Sequence, residues 1–213
     1  MTFPAVYWTQ ISSKLDAMDI TARLARRIKD LREAQGWSLD ALAERSGVSR
    51  SNIWLIERGQ SSPTAAVLDK LSAGLGVTLA SLFEESPAAS APPSPLARVF
   101  EQPVWTDPAS GYVRRNVSPA VPSPIQLVDV RFPAGQRVAY EASPRDDEVH
   151  QQVWMIDGAM NLSVGDTAWR LEAGDCLAMS LDAPIVFHNP GPREARYLVA
   201  LARRPRGGAR RSS

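Results

Sequence analysis

Four prolines fall within residues 86–97, at Pro87, Pro92, Pro93 and Pro95. Proline lacks a backbone N–H and clashes with the preceding helical turn, so no helix or central strand runs through this stretch. The segment SPAASAPPSPLA reads instead as an extended, semi-rigid spacer. On either side the apolar pattern has a different period. Residues 19–85 follow a helical period and residues 98–202 a strand period, so the chain is read as two domains of different class, with a segment at each end. These are an arm over 1–18 and a tail over 203–213. The tail holds five arginines, no acid and little to bury, which predicts disorder.

In the first domain Ile20, Leu24, Ile28 and Leu31 form one apolar helical stripe. Asp19 is the expected cap of that helix and Gly36 its stop. Ser38 caps a second helix, LDALAER, which Gly47 ends. Ser49 caps a third, SRSNIWLIER, closed by Gly59. Pro63 is placed in the first turn of a fourth helix, and Thr78 opens a short fifth, LASLF. The expectation is a five-helix, all-α domain.

The second and third helices, joined at Ser46-Gly47-Val48, have the form of a helix-turn-helix, whose second helix enters the major groove of DNA. Arg50, Ser51 and Asn52 stand at the start of that helix, with Leu55 a turn later. Arginine suits guanine, asparagine adenine, and an apolar side chain the thymine methyl. Ser49 and the free N–H groups around it suit a phosphate, as do Arg45 and Arg58, with Gln60 and Ser61 behind them. The overall net charge of +1 does not oppose this reading, because residues 21–60 carry +3.

These stretches, LARRIKDLREAQGWSLDALAERSGVSRSNIWLIERG and PTAAVLDKLSAGLGVTLASLF, resemble the lambda-repressor-like (XRE-type) helix-turn-helix regulators. The resemblance implies a sequence-specific regulator, in most relatives a repressor, that binds a double-stranded operator as a homodimer. It also implies a pair between Arg32 and Glu57 that presents Arg32 near the phosphates. Two positions depart from the family pattern. Leu39 replaces the usual phosphate-contacting glutamine, and Trp54 occupies a face that is often polar.

Downstream, IQLVDVRF, VWMID, MNLSV, AWRL, CLAMS and YLVALA alternate with period two between glycine-marked turns, which predicts an all-β barrel or two-sheet sandwich. Gly158 in VWMIDGAMNLSVGD, and Gly174, Pro184 and Asn189 in GDCLAMSLDAPIVFHNPG, make this half similar to the cupin family, small barrels that often sense a ligand behind such a head. The metal positions of cupins are not matched. Gln151 stands where the glutamate falls, the two histidine positions lie within Pro144–Asp147, and Ile185 takes the place of the last histidine. His150 and His188 are out of register. No metal and no cofactor is expected. An iron-dependent epoxidase with this two-domain plan is the alternative function, disfavoured by those ligands.

Without a metal the interior becomes a small-molecule pocket. Inward parity nominates Gln151, Val153, Met155, Cys176 and Ile185, with Arg137, Tyr140 and Trp154 near the mouth. Arg137 would suit a carboxylate or phosphate. Met155, Trp154 and Ile185 could equally be core filling, and Cys176 a buried small hydrophobe. The single cysteine excludes an intrachain disulfide framework, and no apolar run is long enough to span a bilayer, so a cytoplasmic, non-membrane protein is expected.

Overall fold

The computed structural model describes residues 14–84, 94–142 and 147–205. Most of the expected arm, spacer and basic tail lies outside the described residues. The helical head comprises α1 (Lys14–Ala34), α2 (Leu39–Ser46), α3 (Arg50–Glu57) and α4 (Ala65–Gly74), then a 3-10 helix over Ala80–Phe83. Ser38 Oγ accepts from the Ala41 N–H, Ser49 Oγ from Asn52 and Thr64 Oγ1 from Val67, so each of α2, α3 and α4 begins on a side-chain cap. Gly47 ends α2 at φ +67°, and its N–H reaches the Ala43 carbonyl. That left-handed residue turns the chain from α2 into α3. Gly74 serves another purpose: a Cβ there would lie 2.8 Å from Ser46 Cβ, so the missing side chain lets α4 lie close against α2.

Three boundaries differ from the sequence reading. Helix α1 starts at Lys14, placing Asp19 inside it, because nothing in KLDAM breaks a helix and a cap-type residue marks a start only where the preceding residues stop one. Pro63 precedes α4 rather than entering it, since Thr64 is the cap. The expected fifth α-helix is a single 3-10 turn, so the described residues of the head form four α-helices; Thr78 Oγ1 accepts from the Ser81 N–H and the chain passes directly to the barrel joint.

The second half is a barrel of two antiparallel sheets, as the cupin resemblance implies. Its strands are β1 (Val104–Thr106), β2 (Val113–Asn116), β3 (Ile125–Phe132), β4 (Arg137–Tyr140), β5 (Asp147–Asp157), β6 (Ala159–Val164), β7 (Thr167–Glu172), β8 (Cys176–Ser180), β9 (Ile185–His188) and β10 (Ala195–Pro205). One sheet has the order β1-β2-β3-β10-β5-β8 and the other β4-β9-β6-β7. Val128, Val130 and Phe132 on β3 point inward and meet Val153, Met155, Leu162 and Phe187. Asp129 lies on the opposite face of β3 yet is only 4% exposed. Arg196 covers it with two bonds of 3.0 Å and Arg115 with one of 2.7 Å. Burial alone would raise its pKa, but the two guanidinium groups outweigh that and hold the carboxyl below the usual carboxylate range. A folded pKa below the unfolded value of about 3.9 gives stability that is present above that value and lost as pH falls through the folded one. Asp129→Asn should therefore cost about 2 kcal/mol at neutral pH, as expected for bonds to charged groups. It should also flatten the loss of stability below about pH 4. Urea titrations of both proteins at pH 7 and at pH 3.5 check this, and equal acid sensitivity would refute it.

Head and barrel are not beads on a string. One apolar core runs through both, and the 3-10 helix sets Phe83 against Trp105, ring centroids 5.7 Å apart. Polar bonds cross the joint, two of them buried. Asp107 accepts from the Ala65 N–H at 2.9 Å, and Asn116 Nδ2 donates to the Ala80 carbonyl at 2.9 Å. The Gln126 amide donates to Ser81 Oγ, and Lys70 pairs with Glu141 at 2.9 Å.

Candidate nucleic-acid interface and barrel cavity

Helix α3 buries Ile53 and Ile56 in the head and turns its other faces outward. Ser49, Arg50 and Ser51 are exposed at its start and Asn52 is partly so. Leu55 is 37% and Trp54 45% exposed, with the Arg58 guanidinium 4.8 Å from the Trp54 ring centroid. The expected side chains therefore share the exposed surface of one helix, Ser49 to Asn52 at its start and Leu55 and Arg58 toward its end. Two are engaged: Ser49 Oγ caps Asn52, and Arg50 Nε lies 3.3 Å from Asp40 on α2. Both members of that ion pair are well exposed, so water screens it and releasing Arg50 costs little. Trp54 belongs to the same surface, although polarity-based reading passes over it.

Arg32 is held within the head. The pair with Glu57 is present, with Nε to Oε1 at 2.7 Å and Nη2 to Oε2 at 2.8 Å. Nη1 donates to the Trp37 carbonyl at 2.8 Å, and the side chain is 11% exposed. The hydrogen bonds to Glu57 outweigh the effect of burial and hold the guanidinium more firmly protonated than a free arginine. These donors are engaged inside the head, so Arg32 fastens α1 to α3. Arg45 is exposed, but its guanidinium stacks 4.3 Å from the Trp37 ring centroid and its Nε faces the Gly74 carbonyl at 3.4 Å, which ties α2 to its neighbours.

A cavity of about 80 Å³ lies inside the barrel against the head. About 10–15 Å³ of such space holds a water, so it has room for a compact molecule. Tyr112, Arg114, Tyr140, Gln151 and Tyr197 bring polar groups to it. Val128, Val130, Ile185 and Phe187 are among the apolar lining, and Asp69, Thr78 and Leu79 of the head complete the wall. The Tyr112 and Tyr140 hydroxyls are 3.1 Å apart. Burial pushes the phenols of Tyr112, Tyr140 and Tyr197 up, so at neutral pH all three keep a proton to donate.

Of the expected pocket residues, Tyr140, Gln151 and Ile185 line this cavity. Val153 and Met155 do point inward on β5, but both are fully buried in packed core outside the cavity. Cys176 is exposed, because it pairs with Trp154, which is 49% exposed, and cross-strand partners share a face. The inward residue of that pair of strands is Leu177, opposite Val153. Trp154 is accordingly a surface residue. Arg137 pairs with His188 on the outer face of the second sheet, where the two line a shallow depression with Asn161 and Trp169. The sequence reading missed Tyr112, Arg114 and Tyr197. Strand β2 is four residues long and reads VRRN, too short and polar for its alternation to register.

Among the described residues the donor set does not fit a metal. Gln151 and Ile185 face the cavity where a carboxylate and an imidazole would be needed, and His150 lies on the surface beside Glu148. Positions 144–146 lie outside the described residues. Among the described residues no three His, Cys, Asp or Glu side chains converge. Asn189 is structural: its amide donates to the carbonyls of Phe132, Pro133 and Arg193.

The helix-turn-helix family HTH_3 matches residues 28–82. Over 176 residues the chain is 31% identical to the HTH-type transcriptional regulator SutR of Escherichia coli K12, covering 82% of this chain and 91% of that protein. The HTH-type transcriptional regulator SinR of Bacillus subtilis is 41% identical over 63 residues, 29% of this chain and 57% of SinR. The crystal structure of an HTH_3 family transcriptional regulator from Vibrio cholerae superposes with a TM-score of 0.70 at 22% identity, covering 87% of this chain and 98% of that one, and so shares the fold. No helix among the described residues is long and apolar enough to cross a membrane. The chain belongs to the HTH-type transcriptional regulators: it is a DNA-binding regulator whose helix-turn-helix head is followed by a barrel of two antiparallel sheets.

Proposed function

We infer that this regulator is controlled by a small molecule bound in the barrel, and that it acts as a cytoplasmic homodimer, most simply a repressor, on a two-fold operator. In this reading Arg50, Ser51, Asn52 and Leu55 contact bases, and Ser49, Arg58 and Arg45 contact phosphates. The observation that carries it is the cavity wall, which is built from both domains. A molecule that fits the cavity differently when the head shifts changes the population of head positions, and only such differential binding can regulate. The reading is one of sensing, which the hydrogen-bonding groups and the apolar lining of the cavity support.

The test selects duplexes from random sequence with the full chain. A metabolite pool is then screened for thermal stabilisation, and each hit is added to an anisotropy titration of the selected duplex. Expected are half-sites about 10 base pairs apart and a hit that changes operator affinity. A hit at 100 times its Kd should add about 2.7 kcal/mol to stability. Selected sites without two-fold symmetry would overturn the dimer reading. A pool that stabilises nothing would overturn the sensor reading.

A further inference from the structure

We propose that the cavity is a site for a compact carboxylate with an apolar body, and that Arg114 is its anchor. This rests on the sensor reading above and names the ligand class.

Arg114 sits on β2 opposite Val130 and Trp105, at a position that faces the barrel interior, and is 5% exposed. Other well-buried arginines of this chain have carboxylates, Arg32 with Glu57 and Arg115 with Asp129. Arg114 is buried more deeply than Ser46 or Gln151 and, among the described residues, no carboxylate pairs with it. Its guanidinium lies 4.7 Å from the Phe83 ring centroid and beside the Tyr112 phenol, and its Nε has no hydrogen-bond partner. A buried cation without a counter-charge is costly, and a group selected only for stability would not be charged there. A ligand carboxylate would supply the missing charge and the acceptors that the planar guanidinium is shaped to meet.

The surroundings fit the same ligand. The Tyr197 hydroxyl, whichever of the bonded Tyr112 and Tyr140 hydroxyls does not donate to the other, and the Gln151 amide are further donors, while Val128, Val130 and Phe187 accommodate a hydrocarbon body. The two acidic residues of the lining, Glu141 and the buried Asp69, do not argue for a cation. Glu141 pairs with Lys70, and Asp69 also has a partner. The site also explains how occupancy reaches the head. Phe83 belongs to the 3-10 helix of the joint, so a carboxylate that draws the guanidinium away from its ring alters a contact on which the head is seated.

The experiment is thermal unfolding and calorimetry of the full chain with matched probes: isobutyrate, pyruvate and benzoate against isobutyramide, benzamide and isobutylamine. At least one carboxylate should raise the Tm while its amide or amine counterpart does not. Arg114→Met, close in length but uncharged, should lower affinity for that carboxylate about 10- to 100-fold, the loss of a charge-assisted bond. It should also raise the Tm of the ligand-free protein by about 2–4 °C, because an apolar chain suits the burial better. A purely structural arginine predicts the opposite sign, a lower ligand-free Tm, and that result would overturn the proposal. Equal stabilisation by amides or amines would overturn the carboxylate class and leave the sensor reading intact. Silence from every probe would overturn the carboxylate proposal, while the sensor reading stands or falls on the metabolite screen.

Discussion

Replacing Glu57 with alanine is expected to cost about 3–5 kcal/mol of folding stability, the penalty for leaving one member of a buried ion pair without its partner. The carboxylate side chain is 7% exposed and accepts two bonds from Arg32, at 2.7 and 2.8 Å. Without it the guanidinium keeps the Trp37 carbonyl and a 3.4 Å approach to the exposed Glu33, too little for a charge held between helices. Helix α3 loses its tether to α1, so the recognition surface should loosen together with the fold. Arg32→Lys should rescue little, since a single ammonium cannot reproduce the fork. The double change Arg32→Met with Glu57→Leu should be far milder than Glu57→Ala, because it buries no unpaired charge. Denaturant titrations of the three variants check the order, and a Glu57→Ala loss under about 1 kcal/mol would refute the role assigned to the pair.

The same pair shows what the sequence could and could not convey. Family resemblance identified the partners, because their spacing follows from the helix packing of the fold. It did not convey that Arg32 Nη1 donates to the Trp37 carbonyl, which ties the side chain further into the head. The head was legible where capping and periodicity agree, as at Ser38, Ser49 and Gly47. It was less so at Asp19 and Pro63, where a start signal was read without the residues before it. In the barrel, long alternating strands such as β3 and β6 were plain. Strands β1, β2, β4 and β9 have three or four residues each and carry too little pattern to separate from loop. Cys176 was misplaced because parity along β8 depends on its register with β5, and a slip of one residue reverses every face. The docking of head on barrel had no local signature at all. Asp107, Asn116 and Gln126 are unremarkable polar residues until the fold brings backbone and side-chain groups of the head to them.

Removing Arg50 and Asn52 together is expected to weaken operator binding about 100- to 1000-fold while affinity for random DNA falls only a few-fold. Each good bidentate base contact is worth about 1–3 kcal/mol, and the two are added here as separate contacts. Arg50 is available because its bond to Asp40 is exposed on both sides and exchanges readily for a guanine. Asp40→Ala should consequently change operator affinity only slightly, and upward, by freeing the arginine and removing a negative charge from the interface. Arg58 supplies the contrast. Its guanidinium lies beside the Trp54 ring, and it is assigned to phosphate. Arg58→Ala should therefore lower affinity for all duplexes alike and reduce the slope of log K against log salt by about 1. Anisotropy titrations at several salt concentrations separate the two behaviours. If the Arg50 and Asn52 double variant lost specific and non-specific affinity in the same proportion, the base contacts would have to lie elsewhere on α3. Trp54 and Leu55, the exposed apolar pair beside them, would then be the side chains left to read thymine methyl groups.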